Sequence, residues 1–191
     1  LKRETRNAKR ETRNLKLETQ DIEPRAKRIK LLLMDCDGVL TDGQLELLEN
    51  GDEQKTFHAR DGQGISLFHR AGWRTGIISG RTSSAVERRA QDLKIGYVRQ
   101  YAKDKIKALE EILAAAGCSA EETAYIGDDV GDIPVMRRVG FAVAVADAVE
   151  ETKQAAHYVT NLKGGRGAVR EVTDLILKAQ GRWEELMKRF E

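Results

Sequence analysis

The chain has 191 residues, is 40% hydrophobic and carries a formal net charge of +2. That is enough for one domain with a sizeable core, and it directs no overall field at nucleic acid or a membrane. No apolar run nears the roughly 20 residues that cross a bilayer, no secretory signal pattern is visible, and Cys36 and Cys118 lack metal-ligand spacing, so free thiols in a reducing cytoplasm are expected.

The first segment repeats itself: Lys2–Asn7 and Lys9–Asn14 both read KRETRN, and Leu1, Ala8, Leu15 and Ile22 share one heptad position. The companion position holds Thr5, Thr12 and Thr19, so a coiled-coil seam is incomplete. Residues 1–28 are expected to form a polar, basic, solvated extension, disordered or partly helical, with an oligomerising helix or a nucleic-acid arm as alternatives. Pro24 is expected to end whatever forms there. Residues 29–191 are expected to form the main domain.

From Ile29 the pattern changes. Ile29–Met34 reads as a buried parallel strand ending at Asp35. Gln44–His58 reads as a hairpin turning at Asn50-Gly51. Asp61–Ala71 reads as a helix with Ile65, Phe68 and Leu67 inward, Thr75–Ser79 as a strand and Ser83–Leu93 as a helix. Ile95–Val98 reads as a strand, and Lys103–Ala116 as a helix stopped by Gly117. Thr123–Ile126 reads as a strand running into Gly127-Asp128-Asp129. Asp132–Val139 reads as a helix, Phe141–Val145 and His157–Thr160 as strands, and Ala168–Ala179 as a helix with a helical tail after Gly181. Such alternation implies an α/β fold, a doubly wound, Rossmann-like parallel sheet with helices on both faces, in which ligands bind at the carboxyl ends of strands.

Acidic residues collect at those ends. In Asp35-Cys36-Asp37-Gly38-Val39-Leu40-Thr41, extended-chain alternation points Asp35 and Asp37 one way and Cys36 the other. Two carboxylates on one face are costly without a cation or a proton. A second cluster, Gly127-Asp128-Asp129-Val130-Gly131-Asp132, follows another strand. Between them lie Ser79, closing an apolar strand where a hydroxyl and the following amides suit a phosphate oxygen, and Lys105. Each piece alone has a bland reading: a loop acid, a helix cap, a solvated lysine.

In this order the pieces resemble the haloacid dehalogenase superfamily. Arg60–Ile65, Ile77–Arg81, Tyr125–Asp129 and Gly164–Glu171 further resemble a narrower branch of phosphatases acting on keto-acid sugar phosphates, over roughly Lys30 to Gly181. Ser79 stands where threonine is expected, with the hydroxyl kept. The resemblance implies a Mg²⁺-dependent phosphomonoester hydrolase. In it Asp35 is the nucleophile, forming an aspartyl-phosphate, and Asp37 the acid and base. Mg²⁺ would be held by the Asp35 carboxylate, the Asp37 backbone carbonyl and Asp128. Ser79 and Lys105 would hold phosphate oxygens, Asp129 would orient Lys105, and Asp132 would support the site or merely start a helix.

A hairpin and one helix use up the chain between Asp37 and Ser79, so no cap domain fits, yet a water-excluding site needs a cover. The resemblance implies a homo-oligomer, a tetramer in which the hairpins close the sites; a hairpin that only extends its own sheet edge is the alternative. A carboxylate-bearing sugar phosphate asks for a guanidinium, with Arg60, Arg81 and Arg166 as candidates. A phosphoacceptor signalling domain would place an aspartate after the third strand, where Arg99-Gln100 stands instead.

Overall fold

The computed structural model describes residues 22–49 and 53–190. The heptad pattern of residues 1–21 and the Asn50-Gly51 turn lie outside the described residues.

β1 (Leu31–Met34) is apolar on both faces and buried throughout, which suits the centre of a parallel sheet. It pairs in parallel with β4 (Arg74–Ile78) and β6 (Thr123–Gly127). β5 (Tyr97–Arg99) continues outward from β4, and β7 (Phe141–Ala144) and β8 (Tyr158–Val159) outward from β6. The order is therefore β5-β4-β1-β6-β7-β8. The chain leaves β1 in one direction and returns past it to build the other half, so β1 is the switch point. Met34 lies beside both Ile77 and Ile126. That register brings the residues following β1, β4 and β6 to one edge.

α2 (Ala59–Arg70), α3 (Ser84–Leu93) and α7 (Ala168–Ala179) pack together as one layer, and α4 (Lys105–Ala116), α5 (Ile133–Met136) and α6 (Glu150–Ala155) as the other. α2 and α7 pack most extensively. Gly64 permits it, because a Cβ there would stand 2.4 Å from Thr173 Oγ1.

Several elements differ from expectation. Residues 22–28 are helical (α1), with Pro24 among them rather than after them. Ala26 is fully buried, and the Gln180 amide donates to the Ala26 and Ile29 carbonyls at 3.1 and 2.6 Å. The hairpin strands β2 (Glu46–Leu47) and β3 (Glu53–Gln54) are two residues each. β5 starts later than Ile95. The helix expected over Asp132–Val139 is a 3₁₀ turn, Val130–Asp132, followed by the short α5. α6 was not legible, since Thr152 is its one buried residue and no apolar period marks it. A short helix, α8 (Trp183–Met187), does follow Gly181.

Candidate active site

Asp35 follows β1 and is 9% exposed. Its backbone N–H donates to the Ile126 carbonyl at 3.0 Å, which carries the ladder one residue past the strand. Cys36 then turns into the core, fully buried, as alternation requires. The Cys36 carbonyl accepts from the N–H groups of Val39, Leu40 and Thr41, closing a tight loop. Gly38 sits in that loop at φ +88°, and a Cβ there would stand 2.0 Å from Asp128 Oδ2. The first and last acidic segments thus touch only because this residue is glycine.

Lys105, the first residue of α4, lies between the two segments. Asp104 caps the helix, accepting from Ile106 N and Lys107 N. The Lys105 ammonium lies 3.1 Å from Asp35 Oδ1 and 2.7 Å from Asp132 Oδ1. Asp132 therefore anchors Lys105. Asp129, expected in that role, is turned elsewhere: its carboxylate accepts from the neighbouring Val130 N–H at 2.7 Å. The reason is the 3₁₀ turn, which points Asp129 outward as its cap and brings Asp132 back under the strand end. Asp132 is 1% exposed. It also accepts from the Tyr125 hydroxyl at 2.6 Å and from the N–H groups of Asp128 and Asp129 at 2.9 and 3.3 Å.

Asp35, Asp128 and Asp132 place carboxylate oxygens within 4.8 Å of one another. Burial, then the Asp132 charge, pushes the Asp35 carboxyl up to about 6 against the pull of Lys105. Burial and the Asp35 and Asp132 charges push Asp128 up to about 8. Asp132 has its oxygens occupied by four donors. Asp128 Oδ1 is buried with no hydrogen-bond partner. An orphaned carboxylate oxygen beside a second crowded carboxylate fits a hard divalent cation, and an all-oxygen donor set suits Mg²⁺. The Asp37 backbone carbonyl accepts no hydrogen bond from the described residues.

Ser79 follows β4 and is 2% exposed; its hydroxyl accepts from the Arg81 N–H at 3.2 Å. Asp37 forms an ion pair with Lys55, whose side chain is 2% exposed. Lys55 also lies 3.2 Å from Glu53 Oε2, and Glu53 in turn pairs with Arg81. Burial works against the Lys55 charge, but Asp37 and then Glu53 outweigh it and the ammonium titrates above its usual range. Lys55, Glu53 and Tyr125 were not singled out in the sequence. A lone lysine among the polar residues of an irregular hairpin carries no signal in the sequence.

The arginines fall elsewhere. Arg81 is held by Glu53. Arg166 lies 3.1 Å from Asp42 Oδ2. Arg60 and Arg166 border a cavity of about 610 Å³ beside α7, shared with Tyr158, Leu162, Arg170 and Lys178 and not with Asp35, Asp37, Ser79 or Asp128. The loop bearing Arg166 nonetheless lies against the first motif: a Cβ on Gly164 would stand 1.7 Å from the Gly38 carbonyl oxygen, and Gly165 N–H donates to the Val39 carbonyl at 2.9 Å. Asp61 is 2% exposed; its Oδ1 accepts from the Arg170 N–H at 2.8 Å, at the start of α7, and its Oδ2, buried without a hydrogen-bond partner, lies 3.9 Å from His58 Nδ1. Glu171 accepts from the Tyr158 hydroxyl at 2.6 Å and from the N–H groups of Asn161 and Leu162 at 2.8 and 3.0 Å.

Residues 96–171 match the haloacid dehalogenase-like hydrolase family. The chain is 49% identical to 3-deoxy-D-manno-octulosonate 8-phosphate phosphatase of Yersinia pestis, over 84% of this chain and 86% of the relative. The crystal structure of that phosphatase from Yersinia pestis superposes with a TM-score of 0.84, covering 86% of this chain and 89% of the other at 48% identity. The Moraxella catarrhalis phosphatase, solved with magnesium, phosphate and 3-deoxy-D-manno-octulosonate, superposes with a TM-score of 0.86 at 40% identity, covering 89% of this chain and 98% of that one.

Proposed function

The chain belongs to the haloacid dehalogenase-like hydrolases, among the 3-deoxy-D-manno-octulosonate 8-phosphate phosphatases, and from that we propose that it releases phosphate from this keto-acid sugar phosphate, a step in lipopolysaccharide precursor synthesis. The observation that carries the reading is the strand-end cluster. Asp35 is aimed out of the sheet against Lys105, and Asp128 keeps a buried oxygen without a partner.

In this reading Asp35 attacks phosphorus in line and forms an aspartyl-phosphate. The ester oxygen departs with a proton from Asp37, which then takes a proton from the water that opens the intermediate. Lys105, fixed by Asp132, and the Ser79 hydroxyl meet the phosphate oxygens. The Asp35 carboxylate, the Asp37 carbonyl and Asp128 would hold Mg²⁺, which when bound offsets charge between nucleophile and phosphate. Arg166, in a loop seated on Gly38, is the preferred reader of the substrate carboxylate, with Arg60 across the same cavity and Arg81 beyond Ser79 as alternatives. A nine-carbon keto-acid 9-phosphate is the second substrate to consider.

Residues 29–191 form the catalytic domain in this reading, with residues 22–28 packed on it. Leu45, Leu47 and Leu48 stand exposed along the hairpin, and such a patch supports assembly of hairpins from several copies into a tetramer. No described helix is long and apolar enough to cross a membrane, which accords with a cytoplasmic enzyme. The test is phosphate release from 3-deoxy-D-manno-octulosonate 8-phosphate and from nine-carbon analogues with Mg²⁺, alongside mass by light scattering. No Mg²⁺-dependent release from any of these would defeat the reading, and a fully active monomer would defeat the assembly.

A further inference from the structure

We propose that Lys55 is a positioning residue for this reaction: β3 leads its ammonium beneath the first loop, where it fixes the Asp37 carboxylate in the orientation proton transfer requires. The proposal rests on the acid–base role of Asp37 given above and adds a residue to it.

Lysine ordinarily lays its stem along a surface and keeps its ammonium in water. Lys55 does the reverse. Its neighbours Gln54 and Thr56 are exposed, while its own side chain is 2% exposed. A buried ammonium is tolerated only with close counter-charges. Lys55 has two, Asp37 Oδ1 and Glu53 Oε2. Both are side chains, so Lys55 ties down no backbone group as a brace would. Nor does it stand open as a phosphate ligand, since two carboxylates already occupy it; Ser79 and Lys105 flank the nucleophile for that purpose. What it does constrain is Asp37. A carboxylate at the tip of a loop rotates freely about its last bond. One donor on Oδ1 stops that rotation and leaves Oδ2 as the oxygen that holds or releases the proton.

Lys55 is itself held from behind. Glu53 lies on β3 and pairs with Arg81, two residues past Ser79. The chain Asp37–Lys55–Glu53–Arg81 therefore joins the first catalytic loop, the hairpin and the loop after β4. The hairpin that exposes Leu45, Leu47 and Leu48 is the same element that sets the acid–base group.

The experiment measures kcat and KM of the full-length protein on the sugar phosphate with saturating Mg²⁺, for wild type, Lys55→Met, Asp37→Asn and the double variant. Loss of orientation should lower kcat about ten- to a hundredfold in Lys55→Met, with KM within about twofold and Mg²⁺ affinity unchanged. In the Asp37→Asn background the same substitution should cost nothing further, because the group it positions is gone. A loss that repeats in full in that background, or one confined to KM, would overturn the proposal, as would wild-type kcat in folded Lys55→Met. If Lys55→Met does not fold, Lys55→Gln, which keeps a donor in place, is put through the same comparison; if neither folds, Lys55 holds the structure and the proposal is wrong. Asp35→Asn serves as the control. If it stays active, the reading of the reaction fails and this proposal with it. If it is dead while Lys55→Met is fully active, this proposal alone fails.

Discussion

Two regions of the molecule carry the motifs that mark its branch of the family, and they use their charges in opposite ways. At the ends of β1 and β6, Asp35, Asp128 and Asp132 crowd their carboxylates together, and Asp128 keeps a buried oxygen without a partner. Along the seam of α2 and α7, the acids of the Arg60–Ile65 and Gly164–Glu171 segments accept from the protein's own backbone. Asp61 takes a helix N–H and Glu171 takes two loop N–H groups and a hydroxyl. Several carboxylates crowded at strand ends call for a cation; a carboxylate that stands apart and binds backbone shapes a loop. Motif membership does not separate the two cases, but the clustering of the acids does.

The largest effect that should separate the regions is on turnover. Asp35→Asn should remove about a thousandfold or more of kcat with the fold intact; circular dichroism and phosphate release check this, and substantial residual turnover would reject Asp35 as nucleophile. Next comes Asp132→Ala, which strips Lys105 and Tyr125 of a shared buried partner. It should cut turnover about a hundredfold and destabilise the protein by roughly 3–5 kcal/mol, whereas Asp129→Ala should change either by little. Equal effects from the two would dissolve the distinction drawn between them.

Mg²⁺ should act on the first region alone. Asp128 titrates near 8 in the folded protein, above its unfolded value. The native state then favours the protonated form, so metal-free stability should fall as pH rises from roughly 4 towards 8. Mg²⁺ should offset part of that fall, adding about 2.7 kcal/mol at a hundred times its Kd. Thermal melts with and without chelator across pH test this. Asp128→Ala should abolish the Mg²⁺ response, while Asp37→Asn should keep it, because its proposed contact is a backbone carbonyl.

Smaller effects sharpen the second region. Arg166→Ala should cost roughly 1.5–3 kcal/mol, about ten- to a hundredfold, in kcat/KM on the carboxylate-bearing substrate, and next to nothing on a small phosphate ester. Parallel losses on both esters would deny it the carboxylate. Asp61→Ala leaves a buried N–H at the start of α7 without its acceptor. It should lower stability by about 1–3 kcal/mol, while kcat on a small ester stays near wild type. Loss of turnover without loss of stability would place Asp61 in the chemistry instead.

Local patterns in the sequence determined the parallel sheet, the ends of β1, β4 and β6, and the resemblance built on Asp35, Asp37, Ser79, Lys105 and Asp128. Buried parallel strands are continuous apolar runs, and the residues just past them must sit together at a switch point whatever the loops do. Tertiary structure alone decided which acid holds Lys105, because a single 3₁₀ turn exchanges Asp129 for Asp132 at the strand end. It also decided that Asp61 and Glu171 bind backbone N–H groups, since a partner on another helix or loop leaves no trace in the spacing. It placed Lys55 under Asp37 from an irregular hairpin, where neither period nor motif marks a residue. Side-chain direction in regular elements follows from periodicity; in turns and hairpins it follows from the backbone path, and only the folded chain has one.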